Sequence, residues 1–202
     1  MKIDIDALNS TDEEDSTRQN ILDKARELYL EFGWRRTSMD DVAKRAGMGR
    51  ATLYRRYSDK GQLFMAVISR DVKANLQAIE AAIQTSENHL EGLLEAFVLG
   101  IRLINENPLL TRLLQTEPDD ILPFLTQEFT GILAFSRTYI ADRIKKAQKL
   151  GEIRDLDATL TAELMIRMVH SLMLTPNGVI QAGDEASIRR VCDQFFRPLL
   201  EP

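Results

Sequence analysis

The stretch TSMDDVAKRAGMGRATLYRRYSDK, residues 37–60, decides the fold. It reads as two short helices joined by a tight glycine turn, the second rich in arginine. Ser38 is placed to cap the first helix with Asp41 three residues on, and the acidic pair Asp40 and Asp41 falls where the positive end of a helix favours it. Met39, Val42, Ala43 and Ala46 give that helix one apolar face. Gly47 is the residue type that tolerates the left-handed conformation ending a helix. With Met48 and Gly49 it makes a turn too short for the next helix to run parallel to the first. In the second helix Leu53 and Tyr57, four apart, face inward and leave Arg50, Thr52, Tyr54, Arg55 and Arg56 largely on other faces. Such side chains reach phosphates and base edges when a helix enters the major groove.

Outward from this stretch the helical signals continue. Ser16 with Gln19 makes a capping box, and Ile21, Leu22, Ala25, Leu28, Tyr29 and Phe32 then recur at helical spacing until Gly33 ends the run. Trp34 reads as a packing residue in the bridge to the motif. Ser58 caps a long helix over 59–84, and five further segments follow over 90–105, 108–115, 123–150, 158–174 and 185–197. Pro108, Pro118, Pro123, Gly151, Pro176 and Gly178 stand between or at the edges of these segments. No stretch alternates with the period of a half-buried strand and no internal repeat is present, so the expected fold is all-α with about nine helices. The expected organisation is a disordered acidic arm over 1–15, a three-helix domain over 16–62 and a larger helical bundle over 63–202.

The formal net charge of −5 over 202 residues argues by itself against nucleic acid, but the charge is unevenly placed. Residues 1–15 carry −5, residues 16–65 carry +5 and the remainder carries −5. A basic segment that coincides with the helix pair, between two acidic ones, is the electrostatic footprint of a DNA-binding head. The bland reading is a chance excess on a solvated helical face. Cys192 is the sole cysteine, which excludes an intrachain disulfide and reads as a buried structural thiol. His89 and His170 are the only histidines, and with no HExxH, phosphate loop or nucleophile elbow the chain offers no catalytic or metal-binding motif and no cofactor signature. No apolar run approaches membrane-spanning length and no signal peptide is present, so the expected location is the cytoplasm.

The block from Ala43 to Phe64, AxxAGMGRATLYRRYSDKGQLF, resembles the DNA-binding domain of the tetracycline-repressor (TetR) family of bacterial transcription regulators. Thr37, Ser38, Ala46, Gly47, Ala51, Thr52, Leu53, Tyr54, Tyr57 and Lys60 match the family pattern, while Gly49 replaces a common serine cap and Arg55 and Arg56 stand where histidine or another aromatic is frequent. The resemblance implies a ligand-responsive regulator, a repressor first of all, that binds a pseudo-palindromic operator in double-stranded DNA as a homodimer and is no enzyme. It implies DNA contacts from Thr37, Ser38, Arg50, Ala51, Thr52, Tyr54, Arg55 and Lys60, with Arg50 toward a guanine edge and Lys60 toward a phosphate. It also implies a small-molecule effector held among the middle helices. Phe97, Ile101, Ile104, Leu113, Phe124, Phe129, Leu133 and Met168 are the candidate lining, and their apolar, methionine-containing character suggests a hydrophobic effector. The same residues serve equally as ordinary core.

The segment 158–174 is apolar on nearly every side and must be covered twice. One cover is its own domain; the family resemblance implies that the other is a second subunit, with Met165, Val169, Leu172, Ile188, Val191 and Phe195 as the candidate dimer interface. The alternative is the central helix of a monomer. Arg167 lies inside this helix one turn after Glu163, which satisfies its charge without a ligand. Two other functional classes remain beside the regulator: a helical protein-interaction module, and a small-molecule-binding carrier or enzyme built on the second domain. Neither accounts for the joint occurrence of the Thr52-Leu53-Tyr54 run and Lys60 at the next helix start.

Overall fold

The computed structural model describes residues 12–202, and all the regular structure among them is helical. The elements are α1 Asp12–Phe32, α2 Met39–Arg45, α3 Arg50–Arg56, α4 Lys60–Thr85, α5 His89–Asn105, α6 Pro108–Thr116, α7 Pro118–Pro123, α8 Thr130–Lys149, α9 Ala158–Leu174, α10 Glu185–Val191 and α11 Arg197–Leu200. Two wide π-helical turns, Phe124–Glu128 and Cys192–Phe196, precede α8 and α11. Of the acidic arm expected over 1–15, residues 1–11 lie outside the described residues and Asp12 to Asp15 form the first turn of α1. α1 thus begins ahead of Ser16, which lies inside it rather than at its cap. The single helix expected over 123–150 is two elements. Pro118 opens α7, whose first turn carries Asp119 and Asp120, and Pro123 closes it. A proline there removes an N–H from the ladder, and the backbone widens into the π turn before α8 starts.

The chain divides into two compact units. The first is the chain up to Val72 together with Pro108–Gly131; the second is Lys73–Asn107 with Ile132–Pro202. The units therefore part inside α4, further along than the boundary at residue 62 read from the sequence. The first unit also takes in α6, α7 and the turn after them.

In the first unit Ile21, Leu22, Ala25, Leu28 and Tyr29 of α1, Val42 of α2, Leu53 of α3 and Leu63 and Phe64 of α4 are all essentially closed to solvent, with α1 packed on α2 and α6 and the Tyr29 ring 5.9 Å from that of Phe64. Leu109, Leu113, Ile121 and Leu125 add to this buried set. In the second unit α5 packs on α9, and Leu93, Phe97, Ile101, Ile144, Ala162, Met165, Ile188 and Val191 belong to one cluster, with the Phe97 and Phe196 rings 4.7 Å apart, edge to face. Cys192 lies in this cluster, and burial pushes its thiol up to about 11. No helix among the described residues is long and apolar enough to cross a membrane.

Two side-chain groups make the packing testable. The Tyr29 hydroxyl is buried in the first unit with no hydrogen-bond partner, and burial raises its pKa far above the ordinary tyrosine value. An unmatched buried hydroxyl costs about 1–3 kcal/mol, so Tyr29→Phe should leave the denaturant midpoint unchanged or raise it, whereas Leu53→Ala should cost about 2–5 kcal/mol. In the second unit Glu80 accepts from Tyr139 and Arg143, Glu91 from Arg197 and Glu163 from Arg167 and Arg137, and these donors hold all three carboxylates below their ordinary pKa. A depressed carboxylate stabilises the fold above its unfolded pKa, and that stabilisation is lost as pH falls through the folded value. Urea midpoints should thus decline below about pH 4.3, and less steeply in Glu80→Gln.

Candidate nucleic-acid interface

The helix pair is built as its residue types dictate. Ser38 Oγ accepts from the Asp41 N–H at 3.2 Å while the Asp41 carboxylate accepts from the Ser38 N–H at 2.9 Å, a closed capping box. Donation to that carboxylate from the Ser38 hydroxyl at 2.6 Å, and then from this N–H, holds the Asp41 carboxyl below its usual range. Gly47 has φ +68°, a left-handed conformation that lets the chain leave α2 at once, and the Met48 N–H returns to the Ala43 carbonyl at 3.0 Å. Gly49 begins α3 with no side-chain cap. Leu53 is the buried foot of α3; Arg50, Ala51, Tyr54 and Arg55 are exposed along its outer side, with Thr52 half-buried. Ser38 is exposed beside them.

Two of the residues expected to touch DNA are placed otherwise. Thr37 is buried, and its hydroxyl donates within the protein, with the Gly33 carbonyl at 2.7 Å and the Leu28 carbonyl at 3.3 Å. It fixes the bend between α1 and α2, with its hydroxyl turned inward. Lys60 Nζ donates to the Trp34 carbonyl at 3.0 Å and lies 4.3 Å from the centre of the Trp34 ring, and burial lowers its pKa against the opposing pull of Asp120 and Glu117. Its ammonium joins the start of α4 to the bend.

The same bend is held by a segment far off in sequence. Gly33 has φ +87°, and a Cβ there would run into the carboxylate of Glu117. Glu117 accepts from the Arg35 N–H at 2.8 Å, and Asp120 pairs with the Arg35 guanidinium at 2.6 Å. The Phe124 ring lies 5.1 Å from Trp34 and 5.6 Å from Phe64. Phe124 is thus a packing ring of the first unit. Nothing in the spacing of residues more than eighty apart announces this clamp, although the paired acids of α7 and the unused Arg35 are a faint trace of it.

The remaining effector candidates are divided in the same way. Leu113 and Phe129 are buried in the first unit, while Phe97 and Ile101 are buried and Ile104, Leu133 and Met168 half-buried in the second. The second unit has a cavity of about 490 Å3 whose lining is polar, with Glu80, His89, Arg143, Lys146 and Glu152, and none of the eight candidates reaches it. Of the expected dimer residues, Met165, Leu172, Ile188 and Val191 are closed inside the unit's own core, Val169 is half-buried and Phe195 is 62% exposed. The apolar side chains that α9 leaves open are Leu160 at 58% and Leu164 at 54%, four residues apart. Arg167 pairs with Glu163 at 2.6 Å, the internal pairing read from their spacing. Among the described residues no three His, Cys, Asp or Glu side chains are grouped to hold a metal ion.

Residues 21–67 match the model for bacterial regulatory proteins of the tetR family. The chain is 28% identical over 154 residues to the HTH-type transcriptional regulator YhgD of Bacillus subtilis, across 76% of this chain and 80% of the relative. It is 32% identical over 107 residues to the HTH-type transcriptional activator FasR of Mycolicibacterium smegmatis, across 48% of this chain and 49% of that one. The fold resembles that of a TetR-family regulator from Pectobacterium atrosepticum, with a TM-score of 0.72 at 21% identity over 95% of this chain and 98% of the other.

The seat of Lys60 yields a test. Lys60→Ala removes a hydrogen bond and a ring contact from the bend, and should lower stability by about 1–2 kcal/mol in thermal or denaturant unfolding. A variant as stable as the parent, altered only in the salt dependence of DNA binding, would assign Lys60 to phosphate alone.

Proposed function

Because this chain is a transcriptional regulator of the TetR family with a helix-turn-helix head, we propose that it acts as a homodimeric repressor of a pseudo-palindromic operator and is released by a small hydrophobic effector. The observation that carries the reading is the outer side of α3: Arg50, Ala51, Tyr54 and Arg55 stand exposed in the one segment where basic residues outnumber acids. Arg50 is assigned to a guanine edge, Ala51 and Thr52 to a thymine methyl or the backbone, and Tyr54, Arg55 and Ser38 to phosphates. Arg36 and Arg55 are exposed cations on the same segment, and Arg36 is assigned to phosphates as well. A two-fold protein calls for two-fold DNA.

The proposed dimer face is the one the second unit leaves uncovered: Leu160 and Leu164 on α9, with Phe195 and Leu199 at 62% and 40% exposure near the carboxy terminus. The apolar, methionine-bearing interior of the second unit supports a hydrophobic effector there, around Phe97, Ile101 and Met168. Activation is the second reading, favoured by the likeness to FasR, which is named an activator. A promoter fusion with the gene present and deleted separates the two signs of control.

The decisive experiment selects genomic fragments with purified protein at near-physiological salt and footprints the enriched duplex. An inverted repeat with half-sites about one helical turn apart is expected. On that operator Arg50→Ala should lose about 1–3 kcal/mol and relax preference at one base pair, with a much smaller loss on random DNA. Equal losses on both would refute the base-reading assignment. Leu160→Glu with Leu164→Glu should yield monomers in sedimentation and weaken operator binding; an unchanged dimer would place the interface elsewhere.

A further inference from the structure

Arg50 does not stand alone on the face of α3. Its Nε lies 3.0 Å from Oδ1 of Asp40, and its guanidinium carbon lies 5.3 Å from the centre of the Tyr54 ring, one turn further along the same helix. Asp40 comes from the first turn of α2, so the pair joins the two helices of the motif at their solvent-facing starts. Its neighbour Asp41 is consumed by the Ser38 cap; Asp40 takes no part in that box. A carboxylate on a surface that faces phosphates weakens every DNA complex alike, so a surface built only for affinity would discard it. Its position relative to Arg50 gives it a different use.

We infer that Asp40 is a specificity-determining residue, which seats Arg50 for base reading. This rests on the assignment of Arg50 to a guanine edge given above. An ion pair at Nε leaves the two Nη groups at the end of the fork, the pair that meets guanine O6 and N7 end on. The Tyr54 face limits rotation of the guanidinium plane, so the fork is oriented before DNA arrives and less side-chain freedom is lost on binding. The carboxylate also offsets the charge by which Arg50 would otherwise settle on any nearby phosphate. Asp40 thereby lowers affinity for random DNA while preserving it where the guanine is present, which is discrimination by penalising the wrong complex.

The test is a double-mutant cycle on the full-length protein with the selected operator and random duplex of equal length. Asp40→Asn should lower the operator-to-random affinity ratio about tenfold, the worth of a well-placed fork. In an Arg50→Ala background the same substitution should leave the ratio unchanged to about twofold. A scan of operator base pairs should show preference relaxing at the same position in Asp40→Asn and in Arg50→Ala. The inference is overturned if Asp40→Asn leaves the ratio intact, if it lowers the ratio equally in both backgrounds, or if it relaxes a different base pair, since Asp40 would then act alone. Asp40→Ala, compared by unfolding midpoint, separates a loss of fold from a loss of seating. Failure of the Arg50 assignment has its own signature, an equal loss on both duplexes in Arg50→Ala alone.

Discussion

The bend from Gly33 to Thr37 is the point on which the first unit depends. Its backbone leaves α1 through a left-handed glycine, its tryptophan fills the space between Tyr29, Phe64 and Phe124, and its threonine returns a hydroxyl to two carbonyls of the chain just traversed. Gly33 is constrained twice, by its φ and by the Glu117 carboxylate that occupies the space of a side chain. Because α2 begins immediately after this bend, the placement of the helix pair follows from a buried aromatic cluster and a carboxylate, not from the short helices themselves. Helices of seven residues have little stability of their own and take their position from what they pack on.

Charge is organised on the same principle. The arginines of the head are partly answered from within: Arg35 by Asp120, Arg45 by Glu31 and Glu27, Arg50 by Asp40. Pairs this exposed are weak and screened by salt, so they orient a side chain without committing it, and phosphate oxygens compete for it at little cost. The partners differ in kind. Asp120 lies in α7 and holds the bend, whereas Asp40 lies beside the recognition helix and holds the side chain assigned to the base. The chain passes between the two compact units at Val72, before Pro108 and after Gly131, and the clamp residues Glu117, Asp120 and Phe124 all lie between the last two crossings. Whatever alters that stretch acts on the bend directly.

The sequence made the local features legible because they are written in adjacent residues. The Ser38–Asp41 box, the left-handed Gly47, the uncapped Gly49 and the bounds of α9 all follow from rules that span fewer than five positions. What it hid is set by tertiary partners. Lys60 and Thr37 match a motif whatever they touch, and only the fold reveals that Trp34 and Gly33 receive them. Phe124 reads as an apolar residue at helical spacing in any setting. Its place in the first unit comes from the break at Pro123, which ends α7 and turns the following residues into a wide loop of helix.

The same distinction governs α9. Periodicity shows that this helix has two apolar sides but not which is turned toward its own domain; Met165 and Leu172 take the inner side, and Leu160 and Leu164 are left outside. Their worth sets the size of the proposed dimer contact. Burying a large aliphatic or aromatic side chain gains about 1.5–3 kcal/mol when complete, and a side chain already half covered gains proportionally less. A symmetric contact counts each of Leu160, Leu164 and Phe195 twice, yet bringing two subunits together costs about 4–15 kcal/mol in lost freedom. Three half-covered side chains per subunit therefore form the centre of such a contact and not its whole. The proposed face then takes in Leu199 and the half-buried Val169 as well, with charged residues as its rim.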